Sequence, residues 1–242
     1  MMRSLYANAR RMRAGDDRGL SMMELIVAMG LSSLVLTLVV SFFIQITTAT
    51  VSANNSRNST AITSNIANEL VDIIRPATKV IGALATDPAV VVGTASSLTL
   101  YTNSDGAATD IRPIRVSFTL NAQKRLVEKR WAATRDSLGN WIFPALTVAP
   151  ESTRTLPGAI LDPSTAATAT ATDRAPLFAY LDSACAYIVP GSSGLTLDQR
   201  KAVAVIEFTV RSRTEDSTTA LPATIQNAVG MPNVAQQCKD DS

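Results

Sequence analysis

The sequence predicts an α+β protein in which one long N-terminal helix spans a membrane with its first half and packs its second half on an antiparallel β-sheet. Three observations carry that expectation. From Leu25 to Ile46 no side chain is charged, and 22 residues at about 1.5 Å each cover roughly 33 Å, enough for a bilayer core. Ile62, Ile66, Leu70 and Ile73 then recur at spacings of four, four and three, forming one apolar stripe on a helix. Beyond Pro76 the pattern changes to short alternating segments, the period of strands with one face in a core.

Residues 1–19 form a basic leader, with Arg3, Arg10, Arg11, Arg13 and Arg18 against Asp16 and Asp17. The positive-inside tendency keeps this end cytoplasmic and places everything after the apolar run outside. The helix is expected over 20–75, with its membrane span at about 25–46. Ser32, Ser33, Thr37, Ser41 and Gln45 are mostly groups that a helix can satisfy against its own carbonyls or a neighbouring helix. Thr47 to Ser64 is rich in Ser, Thr and Asn, which are poor helix formers, so its helicity is expected only as the continuation of a longer helix. Pro76 ends the helix near Ile74 or Arg75, at a total length of roughly 80 Å.

Residues 76–242 suffice for one β-rich domain of ordinary size. Ser97 to Thr102 alternates around Leu98 and Leu100, and Ile114 to Leu120 sets Ile114, Val116, Phe118 and Leu120 opposite Arg115, Ser117 and Thr119. Asn121 to Lys124 reads as a turn into Arg125 to Trp131, completing a hairpin. Leu177 to Leu181 and Val203 to Arg211 supply further strands, the second with Ile206, Phe208 and Val210 on one face and Glu207, Thr209 and Arg211 on the other. Asp105-Gly106 reads as a turn, Asp198 to Ala202 as a short helix, and Pro163 to Asp173 as a flexible Ala/Thr loop. Laying an antiparallel sheet on the helix stripe buries the apolar side of each.

Catalysis finds little footing here. The chain has no histidine, which removes the commonest general base and any histidine-based triad or zinc site. Its two cysteines stand far apart, and no phosphate loop, dinucleotide fingerprint, EF-hand loop or nucleophile elbow occurs. No metal, cofactor or enzymatic activity is therefore expected. Of 22 basic and 20 acidic residues, five and two precede Gly19, so the rest of the chain carries 17 and 18 and offers no broad nucleic-acid surface. Lys124, Arg125, Lys129 and Arg130 read as one solvated hairpin, which is where any DNA contact would fall. Trp131 and Trp141 admit two readings, a ligand-facing surface or core. Asn54 and Asn58 begin Asn-x-Ser/Thr triplets of the kind that chance supplies in so Ser/Thr-rich a stretch.

Glu24 is the most informative residue, because a carboxylate at the mouth of a membrane-length helix is costly in hydrocarbon and asks for a specific partner. Gly19-Leu20-Ser21-Met22-Met23-Glu24-Leu25, continuing through Ile46, resembles the processing site of type IV pilins and type II secretion pseudopilins. The resemblance covers roughly residues 15–46. It implies cleavage after Gly19 by a prepilin peptidase, methylation of the new amine on Leu20, and an assembly role for Glu24, whose carboxylate pairs with the Leu20 amine of a neighbouring subunit. Two residues depart from the family's commonest pattern: Leu20 stands where phenylalanine is usual, and Ser41 where many pilins carry a helix-bending proline. A weaker likeness, over Pro176 to Asp182 and the late strand, is to minor pilins and pseudopilins of the PilW and GspJ kind. What the resemblance implies is a minor, initiating or tip-located structural subunit of a type IV pilus. It would be a single-pass protein of the cytoplasmic membrane with its C-terminal domain outside, and then part of a surface filament. Its partners would be other pilins or minor pilins and the pilus assembly platform.

Alternatives stay open. The same features suit a type II secretion pseudopilin, or a membrane-anchored binding module that never polymerises and in which Glu24 merely marks the membrane boundary. A cleaved secretory signal would place Val51-Ser52-Ala53 ahead of Asn54, but the apolar run is longer than the roughly 7 to 15 residues of a signal core. Cys185 and Cys238 both fall on the external side of the anchor, where a disulfide persists. Paired, they close a loop of about 54 residues and add up to about 4 kcal/mol. The other reading is two unrelated buried thiols.

Overall fold

Ser21 starts the first helix. Its hydroxyl accepts the N–H of Glu24 at 3.2 Å while the Glu24 carboxylate accepts the N–H of Ser21 at 3.2 Å, a capping box that satisfies donors the first turn would otherwise leave open. The helix, α1 (Met22–Ile74), runs without interruption through Ser41 and the polar stretch that follows the apolar run. It stops where Pro76 offers no N–H, the last turn closing through Arg75 N–H to Val71 O and Ala77 N–H to Ile74 O, both 3.0 Å. The computed structural model describes residues 21–81, 86–103, 112–213 and 222–234. Gly19, Leu20, Cys238 and the Asp105-Gly106 turn lie outside the described residues.

The chain divides into two compact units between Val51 and Ser52. In the first, every residue of α1 is exposed. In the second, the expected stripe is buried, with Ile66, Leu70 and Ile73 fully covered, Ile62 partly so, and Ser59, Thr63, Ala67 and Ile74 added to it. The hydroxyl of Thr63 donates to Ser59 O at 2.7 Å, so a polar residue sits under the sheet with its donor spent inside the helix.

The sheet is antiparallel throughout. Its strands are β3 (Val90–Gly93), β4 (Leu98–Thr102), β5 (Ile114–Leu120), β6 (Arg125–Ala132), β9 (Ser152–Ile160), β10 (Phe178–Leu181), β11 (Tyr187–Ile188), β12 (Val205–Arg213) and β13 (Ala223–Gly230). Two small hairpins accompany it, β1 (Val80–Ile81) with β2 (Thr86–Asp87) and β7 (Thr134–Arg135) with β8 (Trp141–Ile142), as do two short helices, α2 (Ala171–Arg174) and α3 (Leu197–Ala202). Strands β3, β4, β5, β6, β9 and β12 lie side by side in that order. Strand β12 pairs with β13 along 205–212 on one edge, and on the other with β10 at 205–208 and β9 at 212–213. The face toward α1 carries Leu98, Leu100, Val116, Phe118, Ile206 and Phe208, the residues that period-two reading places there.

The opposite face is covered too. Alternation sets Arg115, Ser117, Thr209 and Arg211 on the face opposite the apolar one, and each of them is buried as well. Two coverings account for this. Residues 143–148, which follow β8, lie over β4, β5 and β6: the Phe143 ring meets Tyr101 at a tilt with centroids 4.5 Å apart, Pro144 O accepts from the Arg115 guanidinium at 2.6 Å, and Val148 O accepts from Trp131 Nε1 at 3.0 Å. Residues 162–174 lie over β12, where the Arg211 guanidinium donates to Asp162 O and Asp173 O. Pro163 to Asp173, expected as a flexible loop, closes through Ser164 N–H to Asp173 O at 2.7 Å and ends in α2, which Thr170 and Asp173 cap reciprocally.

The basic hairpin also needs correction as a solvated face. Lys124 does stand at the turn with positive φ and pairs with Asp162. Arg130, however, binds Glu128, whose side chain is 1% exposed, and reaches Glu69 of α1 at 3.4 Å. Arg154 of β9 bonds the same two carboxylates.

Candidate functional site

The first site predicted from sequence is the N-terminal turn of α1. Glu24 is placed there as the third residue of the helix, held by Ser21. Sequence reading treated Glu24 only as a carboxylate seeking an external partner. The structure gives it a second, intrachain task, and the Ser21-x-x-Glu24 spacing that announces a capping box was legible in the sequence. One carboxylate oxygen takes the Ser21 N–H, and a carboxylate accepts about four hydrogen bonds, so capacity for a partner remains.

Around it the helix is long and apolar enough to cross a membrane. Its large apolar side chains from Met22 to Val51 are between 48% and 82% exposed, and among the described residues nothing buries them. The hydroxyls of Ser33, Thr37, Thr47, Thr48 and Thr50 donate to carbonyls three or four residues back at 2.8–2.9 Å, which removes the cost of placing them in hydrocarbon.

Cys185 occupies the tight turn between β10 and β11 with a positive φ, and Asp182 Oδ1 accepts the N–H groups of Ala184 and Ala186 around it. Its half-buried side chain packs against Leu181, Ala204 and Val205.

The two tryptophans differ, and Trp141 lines a cleft of about 420 Å³ shared with Thr78, Val80, Asn103 and Pro113. Trp131 is buried and stacked by the Arg115 guanidinium, 4.8 Å from the ring centre, while Trp141 is half-buried beneath Arg135 at 4.2 Å. Burial pushes the Arg115 guanidinium down from its usual value and the Tyr101 hydroxyl up, with Asp87 adding to the latter. Among the described residues no group of three or more His, Cys, Asp or Glu side chains is arranged to hold a metal ion.

A cleft that sequence reasoning did not find lies on the outer face of β10, β12 and β13. It holds about 510 Å³, between residues 171–176 on one side and 187–191 on the other, with Ala179, Glu207 and Gln226 from the three strands at its base. Tyr187 Oη donates to Glu207 Oε2 at 3.1 Å, and Gln226 Nε2 donates to Glu207 Oε1 at 2.8 Å. Thr172 Oγ1 donates to the Gln226 carbonyl oxygen at 3.2 Å, fixing which way that amide points. The negative charge of Glu207, and then burial, raises the Tyr187 pKa, so the phenol stays a donor. The residues were legible only singly, because 47 positions separate Ala179 from Gln226 and no local motif joins them. No protein-family model matches this chain, and no curated protein matches it.

Proposed function

We propose that this protein is a minor, initiating or tip-located structural subunit of a type IV pilus, anchored in the cytoplasmic membrane through α1 with its sheet domain outside. The observation that carries the reading is Glu24 in the first turn of a helix whose apolar surface is exposed along its first half and continuous with a helix that is buried in a domain. Cleavage after Gly19 exposes the Leu20 amine. That amine and a Glu24 carboxylate on the adjacent subunit are each costly when dehydrated alone, and together they offset much of the cost and set the axial register. The exposed apolar faces then pack side by side, as the Ser and Thr back-bonds allow. In this reading the partners are a prepilin peptidase, other pilins and an assembly platform, the role is structural rather than catalytic, and Cys185 is disulfide-bonded to Cys238. A secretion pseudopilus would use the same helix in the same way.

The capping box makes the test sharper. Glutamine serves at the third position of a capping box as glutamate does, so Glu24→Gln keeps the cap and removes the charge, while Glu24→Ala removes both. Membrane and sheared-filament fractions are followed for each, with intact mass checking a start at methylated Leu20. Both variants are expected in the membrane and absent from filaments. Normal assembly of Glu24→Gln would assign Glu24 to capping and overturn its pairing with the Leu20 amine, whereas absence of the unaltered protein from filaments would return it to an anchored binding module.

A further inference from the structure

We propose that the cleft over β10, β12 and β13 is a docking site for a lysine or arginine side chain presented by an extended, otherwise apolar segment of a partner polypeptide. Glu207 is the one charged residue among the described residues that line it, and the walls include Pro176, Ile188, Val189 and Pro190. A half-buried carboxylate among apolar walls is only partly compensated by the neutral donors of Tyr187 and Gln226. Those donors use one acceptor position on each oxygen and leave further lone pairs open. An ammonium or guanidinium there makes charge-assisted hydrogen bonds, and its aliphatic stem lies along the apolar wall. The fixed Gln226 amide and the phenol hold the carboxylate in one orientation before the cation arrives.

The rim decides the source of that cation. Tyr187 is 63% exposed and Val189 76% exposed beside the opening. A free small amine would reach Glu207 and leave both in water, whereas a polypeptide backbone crossing the mouth covers them. An anchoring side chain in a pocket ringed by contacts that exclude water is how protein interfaces concentrate their affinity. The inference stands independently of filament assembly, since it uses only the outer domain.

The test uses the full chain in lipid nanodiscs with 13C-labelled alanine methyl groups. Ala95, Ala175 and Ala179 line the cleft, while Ala67 and Ala204 are buried elsewhere and report the fold. The probes are acetyl-Val-Lys-Val-amide, the same peptide with norleucine for lysine, and n-butylamine. The lysine peptide is expected to shift the cleft methyls alone and to bind about tenfold or more tighter than either other probe. Glu207→Gln should bring its affinity down to that of the norleucine peptide with Ala67 and Ala204 unmoved, and Ala179→Leu, which fills the base, should abolish it. Equal binding of the norleucine peptide would reduce the site to an apolar groove. Equal binding of n-butylamine would make it a small-amine pocket, and unshifted cleft methyls at millimolar peptide would mean no site; each result overturns the proposal.

Discussion

Gly158 lies directly against Ile62 of α1. Its φ is +84°, and a Cβ there would lie 2.4 Å from Ile62 Cγ2 of α1 and 2.7 Å from Ser212 Oγ of β12. The pairing of β6 with β9 shifts register beside it, between Val127 and Arg125, so the glycine supplies both the left-handed backbone of a bulge and the room for the helix. Gly158→Ala is expected to cost about 2–4 kcal/mol, from backbone strain and overpacking together. Combining it with Ile62→Ala should recover the overpacking share and leave the strain, a partition that thermal unfolding of the four proteins of the cycle measures. An unchanged midpoint for Gly158→Ala would refute the close approach. Residues differed in how legible they were. Glu24 announced itself by being a lone acid at an apolar run, whereas Gly158 reads in the sequence only as a Pro-Gly break, and Glu207 only as one polar position in an alternating strand.

The strands β4, β5 and β12 follow from period two, because aliphatic and aromatic residues alternate with polar ones in each, whereas β6 follows from the Asn121 to Lys124 turn before it and β10, Phe-Ala-Tyr-Leu, from its short apolar run. Strand β9 follows from none of these: Ser152-Thr153-Arg154-Thr155 offers no apolar beat, and Pro157-Gly158 reads as a loop signal. Strand β13 is Ala-Thr-Ile-Gln-Asn-Ala-Val-Gly, small and polar because it borders the sheet, and its existence is fixed by its register with β12 rather than by propensity. The covering of the outer face was equally hidden, since Arg115 and Arg211 are buried by long-range contacts to backbone carbonyls. Between elements, Glu128 of β6 gathers Arg130 and Arg154, which also meet Glu69 of α1, so one buried acid ties two strands to the helix. Glu128 raises the Arg154 pKa through its hydrogen bond, holding the guanidinium charged. Truncating Glu128 leaves two cations sharing the single Glu69 carboxylate. Glu128→Ala is expected to lose about 3 kcal/mol, toward the low end for a broken buried pair because Arg154 is half in water, and Glu69→Ala about 1 kcal/mol. Urea unfolding would measure both, and a Glu128→Ala loss no larger than that of Glu69→Ala would mean the network is not centred on Glu128.

At the scale of the molecule, the two units ask for different surroundings. The first leaves its large apolar side chains about half or more exposed, and the second buries a core of its own. If the second lies outside the membrane, as proposed, its cysteines meet oxidising conditions. Met231 N–H bonds Ala204 O at 3.0 Å, and Ala204 packs against Cys185, so the chain leaves β13 beside the β10–β11 turn. Three residues lie between Val234 and Cys238, and the four steps of an extended chain reach about 14 Å. A Cys185–Cys238 bond would hold the C-terminal segment to the turn and stabilise the domain by up to about 4 kcal/mol. For a domain of this size that corresponds to roughly 8–16 °C in the unfolding midpoint. Peptide mapping without reductant should therefore recover the two cysteines in one linked species. Cys185→Ser, Cys238→Ser and the double variant should lower the midpoint by the same amount, because each removes the same bond. Alkylation of both thiols in the unreduced native protein would show that they are separate, as would additive losses in the double variant.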